Sequence, residues 1–591
     1  MTKIFLGLGS NLGNKEENIN RAITELSKII SEASGSTEEL AFQSIEQGKE
    51  GFGDLSSKIA FMLAKERKEN PAKLAASIAE KATASLSARA ELIERVEVTG
   101  PYLNFYLSNE FYSSALKQIL KEKVKFGKGK KTGKRLMVEF FHANTHKGVH
   151  IGHIRNVSLG ESLSRILDFT GNEIIRANYQ GDIGPHVAKC LWGYINLYHE
   201  KAPETKRGIW LGKVYSEASQ KIKGNPELEK QAQEINQKLY AGDLKISEAW
   251  KQTRQWCLDD FNEFYKEFGT HFDAFYFESQ VEKLGKETAL DMLKNGVAKR
   301  DQGAVIMDLK DEGLGVYVLL TKEDYPLYYA KELGLVQMQF KKYDPDRLIH
   351  VVGKEQELYF KQLFKTFEKI GGPVFGKAAK ASYHLIYALV MLPEGKMSSR
   401  DGTMVLYEDL RNKLLEIVKQ EIRKRHEDWP QEQVDATALK ITLAAIKFSM
   451  VRRESNRIMV FDWEQALNLE GDSGPYAQYA YVRTHSILSK AEGKPGTSSK
   501  YIFSPEEKKL IRRLCEFPEL VQKSARDLSV QYLPEYSLDV ATDFNKFYAT
   551  SSVLNAETKD AKKSRLAIVQ ATSIVLENSL GLLGIECPEK M

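Results

Sequence analysis

The sequence predicts a multidomain α/β protein with a doubly wound, Rossmann-like central domain, an α+β N-terminal domain and an all-α C-terminal domain. The chain has 591 residues, enough for several domains at about 150 residues each. A buried strand, a glycine-containing turn, a helix and a second strand follow one another in its first third, which is the order of a parallel βαβ unit. After residue 411 the apolar spacing is helical throughout.

The composition is that of a globular protein, with a net charge of only +5. The four cysteines lie far apart, at Cys190, Cys257, Cys515 and Cys587. Their spacing excludes a CxxC metal site and argues against a disulfide framework, so we expect a reducing compartment. No segment approaches the roughly 20 apolar residues of a membrane span, and the first residues lack the pattern of a signal peptide. We therefore expect a cytoplasmic protein with no membrane partner.

Residues 1–118 are predicted to form the N-terminal domain. Ala60–Ala82 has the pattern of two helices broken at an Asn-Pro pair, and "IERVEVTGPYLNFYLS" predicts two strands joined at Gly100-Pro101. A basic connector, Lys117–Arg135, follows with nine lysines or arginines and three glycines. The connector is either a solvated linker or a linker that also contacts phosphates.

The central domain is predicted to span residues 119–410. The run "RLMVEFF" is typical of a buried parallel strand. After Gly152 the apolar residues have helical spacing up to Gly171, a glycine suited to end a helix, and "EIIRANY" predicts the second strand. Residues from about 190 to 290 have a charged helical pattern, which we interpret as an insertion. The runs "RLIHVVG" and "YHLIYALVML" predict strands of the second half.

Residues 411–591 are predicted to form the all-α domain. A loop, "EGKPGTSS", interrupts the helical pattern. The next four residues, Ser504–Glu507, form a capping box with proline at the first helical position, so a helix is predicted to begin there.

The stretch "HANTHKGVHIGH" places four histidines in twelve residues, which raises the alternative of a metal site. His142, His146 and His150 are four apart, as zinc ligands on a helix are. A glycine between them and the end of the preceding strand make this stretch a turn, where helical spacing has no meaning, so we expect no metal there. Backbone N–H groups at the start of the next helix attract anions. The imidazoles of His150 and His153 can donate hydrogen bonds to a phosphate.

The tetrad His150-Ile151-Gly152-His153 resembles the HIGH motif of class I aminoacyl-tRNA synthetases, in the same strand–turn–helix context. Gly152 has no side chain, so a nucleotide can approach the backbone closely. The later segment "LPEGKMSSRDG" resembles the KMSKS loop of these enzymes, which closes on the ATP phosphates. The two motifs together identify the class.

This resemblance implies which residues contact ATP and promote its reaction. The implied ATP-binding residues are His150, Gly152, His153, Lys396 and Met397. The implied catalytic residues are His150, His153, Lys147, Lys396, Ser398, Ser399 and Arg400. Mobile cations are needed because the phosphates gain charge as pyrophosphate leaves. Arg400 replaces the final lysine of the motif or is an ordinary surface residue, and Lys147 is a candidate to supply the missing charge.

Further segments resemble arginyl-tRNA synthetases over most of the chain. They are "VEFFHANTHKGVHIGHIRN", "RANYQGDIG", "KEQELYFKQL", "FDWEQALNLEGDSGPYAQYAYVR" and "SLGLLGIECPEKM". The resemblance implies that arginine is bound by Glu139, Asn144, Tyr328, Glu332 and Gln356. Asn144 would hold the substrate backbone, while Tyr328 and Glu332 are four apart and share a helix face. Glu332 stands where the family usually has aspartate.

The physical chemistry of arginine agrees with this set. A guanidinium is planar, always charged and carries five donors, so carboxylate acceptors are needed to select it over lysine. Glu139 ends the first strand, and burying it without a partner would be costly, so a cationic ligand explains it. The alternatives are an internal basic partner for Glu139 and ordinary helix packing for Tyr328.

The resemblance implies a two-step ligase reaction, in which arginine and ATP form arginyl-adenylate before the tRNA takes the arginyl group. The expected partners are L-arginine, ATP with Mg²⁺ and the tRNA for arginine, with no structural metal and a monomeric chain. The N-terminal domain would lie near the outer corner of the tRNA and the helical domain near the anticodon. Basic stretches at Arg423–Trp429 and Arg452–Arg457 can meet phosphates. The aromatic residues that could stack on bases or pack in the core are Tyr476, Tyr479, Phe547 and Tyr548.

The opening "MTKIFLGLGSNLGNKEENINRAI" departs from this family. It looks like the opening strand and helix of a pterin pyrophosphokinase, but nothing downstream continues that likeness. We interpret residues 1–30 as an atypical N-terminus. Three rival functions stay open: a class I synthetase for another amino acid, which would have an apolar pocket in place of Glu139 and Glu332, a non-catalytic RNA-binding paralogue, and a metal hydrolase.

Overall fold

The computed structural model describes residues 18–49, 51–86, 90–391 and 405–591. The hypotheses about the first 17 residues and about Lys396–Arg400 therefore lie outside the described residues. In the described part of the chain, no helix combines the length and the apolar character needed to cross a membrane. All four cysteines have free thiols, as their spacing predicts.

The N-terminal region combines helices with a four-stranded antiparallel sheet, which agrees with the predicted α+β class and adds two strands that were not predicted. Its elements are α1 (Asn18–Ser34), α2 (Glu38–Ser44), β1 (Ile45–Gln47), β2 (Leu55–Ser57), α3 (Ile59–Arg67), α4 (Pro71–Leu86), β3 (Ile93–Thr99), β4 (Tyr102–Leu107) and α5 (Asn109–Glu122). The strands pair in the order β1-β2-β4-β3. Asn70 separates α3 from α4, and its side-chain oxygen accepts a hydrogen bond from the backbone N–H of Ala72 at 3.0 Å, which confirms the predicted break.

The predicted βαβ unit is confirmed in the centre of the chain. It comprises β5 (Arg135–Glu139), α6 (Ile151–Phe169) and β6 (Glu173–Gln180). Strands β5 and β6 pair in parallel. A Cβ atom at Gly160 of α6 would lie 2.2 Å from Cγ of Phe140, so only glycine permits this close packing of the helix on the residue after β5. Gly171, with φ +96°, follows the helix as predicted.

Four helices follow β6: α7 (Pro185–Asn196), α8 (Arg207–Ile222), α9 (Pro226–Tyr240) and α10 (Leu244–Phe268). The predicted insertion near residues 190–290 is helical, but its predicted end is wrong. Strand β7 (Ala274–Phe277) pairs in parallel with β6, so the main sheet resumes inside the predicted insertion. The strand is only four residues long and α11 (Glu278–Lys294) follows it at once, so the charged helical pattern on both sides hides it.

The second half of the central region completes the main sheet. Its elements are β8 (Lys299–Asp301), β9 (Ala304–Leu309), β10 (Gly315–Leu320), α12 (Tyr328–Tyr343), β11 (Arg347–Gly353), α13 (Glu357–Ile370), α14 (Gly372–Ala381), β12 (Ser382–Tyr387) and β13 (Val390–Met391). The main sheet has the order β12-β11-β5-β6-β7, with every pair parallel. The strand order reverses between β5 and β11, and such sheets bind ligands in the crevice at the carboxyl ends of these strands. The small antiparallel sheet of β8, β9 and β10 was not predicted.

The rest of the chain is helical, as predicted, apart from one very short strand. Its elements are α15 (Tyr407–Arg425), α16 (Gln431–Val451), β14 (Met459–Val460), α17 (Trp463–Leu467), α18 (Gly474–Lys490), α19 (Pro505–Cys515), α20 (Phe517–Asp527), α21 (Tyr532–Thr550) and α22 (Lys559–Leu582). Strand β14 pairs with β13. The capping box at α19 is confirmed, because Ser504 and Glu507 each accept a hydrogen bond from the backbone N–H of the other.

Arg155 on α6 joins the central sheet to the C-terminal helices. Its side chain is fully buried and donates to the carbonyl oxygens of Ala388 at 2.8 Å, Ser455 at 3.0 Å and Arg457 at 2.9 Å. Ala388 precedes β13, while Ser455 and Arg457 precede β14, so one guanidinium holds both strands of this small sheet against α6. Burial lowers the pKa of Arg155 to about 10, so the group is still charged at neutral pH.

We expect Arg155→Met to lower the free energy of unfolding by about 3 kcal/mol, because it removes a buried charged donor and leaves the carbonyl groups of Ala388 and Arg457 without its hydrogen bonds. Urea denaturation measures this change. Arg300→Met is the matched control, since it removes a partly exposed ion pair with Asp324 and an exposed hydrogen bond to the carbonyl of Gly303, and it should cost less than about 1 kcal/mol. An Arg155→Met chain as stable as the Arg300→Met chain would contradict the anchoring role.

Candidate active site

The candidate site lies at the carboxyl edge of the main sheet, beside the N-terminus of α6. Glu139 is the last residue of β5, and its partners in the neighbouring strands are Ala177 of β6 and His350 of β11. Aligned residues of parallel strands project from the same face of a sheet. The sheet therefore places the side chains of Glu139 and His350 next to each other at the crevice.

Glu139 is buried, and both of its carboxylate oxygens accept hydrogen bonds. Oε1 accepts from Nδ1 of His350 at 3.1 Å, and Oε2 accepts from the side-chain amide of Gln339 on α12. Burial opposes ionisation of Glu139, but His350, His142 and Gln339 together favour it more, so the pKa of Glu139 lies below its ordinary value. The internal basic partner considered from the sequence is thus present, as His350.

A cavity of about 620 Å³ opens beside Glu139. It is lined by Glu139, His142, Tyr179, Val318, Leu327, Tyr328, Tyr329, Glu332, Val352, Gln356, Tyr359 and Phe360. Four of the five predicted arginine-binding residues, Glu139, Tyr328, Glu332 and Gln356, therefore share one cavity. The side chain of Tyr328 is 68% exposed at the first position of α12, so the alternative of helix packing is wrong for this residue.

Glu332 faces this cavity from the second turn of α12 and is the less well-partnered of the two carboxyl groups. Burial raises the pKa of Glu332 well above its ordinary value, and the charges of Glu139 and then Glu278 raise it further. A hydrogen bond with Tyr359 has the opposite effect but is weaker. The pKa values of the two acids are therefore shifted in opposite directions.

Asn144 lies in the turn between β5 and α6, outside the set that lines the cavity. Its Oδ1 accepts a hydrogen bond from the backbone N–H of Gly181, just after β6, at 3.0 Å. A Cβ atom at Gly181 would lie 2.5 Å from that oxygen, so glycine is needed for the contact. Asn144 ties the two strand ends together, and its contact with a substrate stays a prediction.

The spacing of the first three histidines is not that of a helix face. His142 and His146 have φ values of +51° and +62°, so they lie in a turn, as predicted. Nδ1 of His146 lies 2.9 Å from Oγ1 of Thr145, and its Nε2 lies 2.8 Å from Oγ1 of Thr253. Both ring nitrogens of His146 are therefore engaged within the protein. Burial lowers the pKa of His146 to about 3, so the ring is neutral.

His150 and His153 stand at the start of α6 with their ring centres 3.7 Å apart. Nδ1 of His150 accepts from the backbone N–H of Gly152 at 3.2 Å, and Nδ1 of His153 accepts from that of His150 at 3.1 Å. Burial lowers the pKa of His150 to about 4 and that of His153 well below its ordinary value. A neutral imidazole that accepts at Nδ1 carries its proton on Nε2. Each ring therefore keeps one N–H donor at Nε2, which is what phosphate binding requires.

Lys147 lies in the same turn and is half-buried. Its Nζ is 5.4 Å from the centre of the Tyr215 ring on α8. Burial lowers the pKa of Lys147, and the charge of Glu278 partly offsets that effect. The insertion helices therefore form one side of the histidine turn, next to a lysine.

The segment predicted to bind the ATP phosphates, Lys396–Arg400, lies outside the described residues, but its C-terminal flank is described. The carbonyl of Val405 accepts from the backbone N–H of Ile151 at 3.1 Å, and the N–H of Tyr407 donates to the carbonyl of Val149 at 2.9 Å. The chain that leaves this segment is thus paired with the histidine turn. The C-terminal flank of the second predicted motif, residues 405–407, therefore lies beside the first motif.

Sequence analysis missed four residues of the site: Tyr179, Gln339, His350 and Tyr359. Gln339 lies seven residues after Glu332, two turns along one helix face, so the helical period could have indicated it. His350 is a polar residue inside an apolar strand, which is also a usable signal. Nothing in the local sequence marks Tyr179 or Tyr359, because their place in the cavity depends on how distant elements pack.

The aromatic residues proposed to meet tRNA bases have different environments. Phe547 is fully buried, so core packing is correct for that residue. Tyr479 and Tyr548 are 38% and 39% exposed. The guanidinium of Arg483 lies 5.6 Å from the centre of the Tyr479 ring and 4.8 Å from that of Tyr548. These three residues form a partly exposed cationic and aromatic group.

Three family models match consecutive parts of the chain. The model described as "tRNA synthetases class I (R), catalytic domain" matches residues 115–463. The "DALR anticodon binding domain" matches residues 477–591, and the "Arginyl tRNA synthetase N terminal domain" matches residues 16–107. The catalytic-domain model alone covers more than half of the chain.

Whole-length relatives agree with these matches. The arginine–tRNA ligase of Bdellovibrio bacteriovorus is 31% identical over 553 residues, covering 92% of this chain and 93% of the relative. That of Clostridium perfringens is 33% identical over 537 residues, covering 90% and 93%. The solved Thermus thermophilus arginyl-tRNA synthetase has a TM-score of 0.77 at 24% identity and covers 98% of this chain and 100% of that chain, which shows a common fold.

We expect the free energy of unfolding to fall as the pH is lowered from 6.5 to 5, because buried histidines resist protonation in the folded state. Burial lowers the pKa of His146 and His186 to about 3 and that of His150 to about 4. The unfolded chain, with ordinary histidines near 6.5, binds more protons in this range, so stability rises with pH. Each such histidine contributes up to about 1.4 kcal/mol per pH unit.

Urea denaturation of two variants tests this pH dependence. His146→Gln should reduce the slope of the free energy of unfolding against pH by the contribution of one histidine, up to about 1.4 kcal/mol per pH unit. The matched control, His199→Gln, changes an exposed histidine and should keep the slope of the parent chain. The same slope in both variants would rule out a buried neutral His146 as a cause of acid destabilisation.

Proposed function

This chain belongs to the arginyl-tRNA synthetase family and is an ATP-dependent arginine–tRNA ligase, and we propose that the cavity beside Glu139 binds the guanidinium of L-arginine. In the first step arginine attacks ATP, which gives arginyl-adenylate and pyrophosphate. In the second step the arginyl group moves to the 3′ end of the tRNA for arginine, and AMP is released.

The observation that best supports this assignment of the cavity is that Glu139 and Glu332 both line it. Selecting a guanidinium over an ammonium requires acceptors that match its planar set of five donors. Two carboxyl groups in one cavity, with Tyr328 and Gln356 at its walls, provide such acceptors. A synthetase for an apolar amino acid would gain nothing from a buried Glu139 and a half-buried Glu332 in its cavity, since each acid is costly to desolvate.

In this proposal ATP lies on the N-terminal side of α6, next to the arginine cavity. The Nε2–H groups of His150 and His153 donate to the nucleotide, and Gly152 leaves room for it. Negative charge on the phosphates grows as the arginine carboxylate attacks the α-phosphorus, and Lys147 and the segment Lys396–Arg400 supply cations against that charge. Loss of one such donor costs about 3 kcal/mol of activation free energy.

Magnesium is expected to arrive with the nucleotide. Mg²⁺ keeps several water ligands and usually binds through one or two carboxylates together with substrate phosphates. We therefore propose Mg-ATP as the bound form, with Mg²⁺ neutralising phosphate charge. The residues of this chain named above orient the nucleotide and donate hydrogen bonds to it.

The tRNA contacts are proposed to come from both ends of the chain, residues 1–118 and 411–591. In the helical region Tyr479 and Tyr548 flank Arg483 and can stack on unpaired bases. The basic connector before β5 lies at the amino edge of the sheet, opposite the cavity, because β5 runs from the connector towards Glu139. Its lysines would therefore meet phosphates remote from the acceptor end. We propose that the chain works as a monomer in the cytoplasm.

Glu139→Gln keeps the shape of the side chain but removes its charge. We expect kcat/KM for arginine to fall by about 100-fold or more, since a lost charge-assisted contact to the guanidinium costs about 3 kcal/mol. Aminoacylation kinetics measure this, and a melting curve checks the fold. Glu368→Gln, on the solvent side of α13 where it pairs with Lys365, is the matched control. Unchanged arginine kinetics in Glu139→Gln would exclude the proposed cavity.

Activation is expected to depend on bound tRNA, as the family resemblance implies. ATP–pyrophosphate exchange with arginine should be negligible until the tRNA is added and should then appear. The other standard amino acids, tested in the same assay, should drive no exchange. Full exchange with arginine in the absence of tRNA would contradict this expectation.

A further inference from the structure

The cavity holds two carboxyl groups that differ in their partners. Glu139 reaches it from β5 with both oxygens engaged, by His350 and by Gln339. Glu332 reaches it from α12 with Tyr359 as its hydrogen-bond partner. Among the residues that the structure describes, neither lysine nor arginine lines the cavity that the two acids share.

The nearest cation along the chain, Lys331, is already neutralised. It is buried, and its Nζ lies 3.0 Å from a carboxylate oxygen of Glu278 and 2.7 Å from one of Glu282, both on α11. One positive charge thus serves two carboxylates. The remaining negative charge on that side also acts on Glu332, so Lys331 offers Glu332 no ion pair.

Further titratable groups face Glu332 from neighbouring elements. From β5 and the turn after it come Glu139 and His142, and burial lowers the pKa of His142. From β6 and α13 come the hydroxyl groups of Tyr179 and Tyr359, whose pKa values burial raises well above their ordinary range. From β11 comes His350, whose Nδ1 is engaged by Glu139.

We propose that Glu332 exchanges a proton for the guanidinium of the substrate, so that arginine binding releases about one proton to solvent. The inference rests on the proposed function of this cavity. Before binding, Glu332 is a neutral carboxylic acid and Glu139 is a carboxylate. The incoming cation interacts with both groups, the O–H bond of Glu332 breaks, and the proton passes to water or buffer. The complex then contains two carboxylates and one guanidinium.

This exchange makes Glu332 a specificity-determining residue. A neutral ureido analogue of arginine, which has the same shape, brings no charge to stabilise a second carboxylate, so it leaves the proton on Glu332. Such a ligand gains only neutral hydrogen bonds from Glu332, whereas the guanidinium gains an ion pair. A proton on Glu332 before arginine binds avoids placing a second negative charge beside Glu139.

Isothermal titration calorimetry of L-arginine into the full chain at pH 7, in phosphate and in Tris, tests the proposal. The two buffers have very different heats of protonation, so a released proton makes the observed heats differ. We expect a difference that corresponds to about one proton for the parent chain and for Glu368→Gln. Glu332→Gln should bind arginine with equal heats in both buffers.

Equal heats for the parent chain, or an undiminished proton release in Glu332→Gln, would overturn the exchange while leaving the proposed function intact. Absence of arginine binding by the parent chain would overturn both. If Glu332→Gln fails to fold, the affinity of the parent chain for arginine replaces it as the readout. Because binding releases a proton, affinity should rise with pH, by up to about tenfold per pH unit on the acid side of the Glu332 titration. A flat profile would overturn the exchange.

Discussion

The charge of Glu139 at the end of the central strand is the constraint on which the site depends. A buried carboxylate persists only if its oxygens are met by donors. Here the donors are Gln339 and His350, which come from α12 and β11, far away in the sequence. Their hydrogen bonds fix the helix and the strand relative to β5. They also leave one side of Glu139 open, which is where the cavity lies.

Arg155 is a second buried charged group, and its charge is positive. It has carbonyl oxygens instead of carboxylates as partners, and those carbonyls belong to the two chain segments that lead into β13 and β14. The guanidinium has enough donors, in a fixed planar geometry, to bind several carbonyls at once. It thereby ties the first turns of α6 to the start of the C-terminal helices. The histidine turn is thus connected both to the sheet and to the helical region.

In the histidine turn, the hydrogen-bond donors and the positive charge come from different residues. Burial keeps His150 and His153 neutral, and their Nδ1 atoms are occupied by backbone donors, so each offers one N–H group in a fixed direction. Positive charge comes instead from Lys147 beside them. Preorganised donors of this kind need no rearrangement when charge develops on a bound nucleotide, which is how such sites lower an activation barrier.

The sequence by itself determined the parallel βαβ unit and the turn that contains the histidines. These follow from local patterns, because the period of apolar residues and the glycines are encoded over short stretches. The resemblance of whole segments supplied the family and the arginine-binding set, of which Glu139, Tyr328, Glu332 and Gln356 line one cavity. The short strand β7 was not predicted, because four residues between two helices are too few to show the alternation of a strand.

Only the tertiary structure decided which partners each buried charge has. Nothing near Glu139 in the sequence indicates Gln339 or His350, and nothing near Arg155 indicates the carbonyls around residue 455. The opposite pKa shifts of Glu139 and Glu332 also arise only when the two acids share one cavity. The physical reason is that burial and electrostatic coupling depend on distances in space, whereas the local pattern of a sequence constrains only residues within a few turns or one strand of each other.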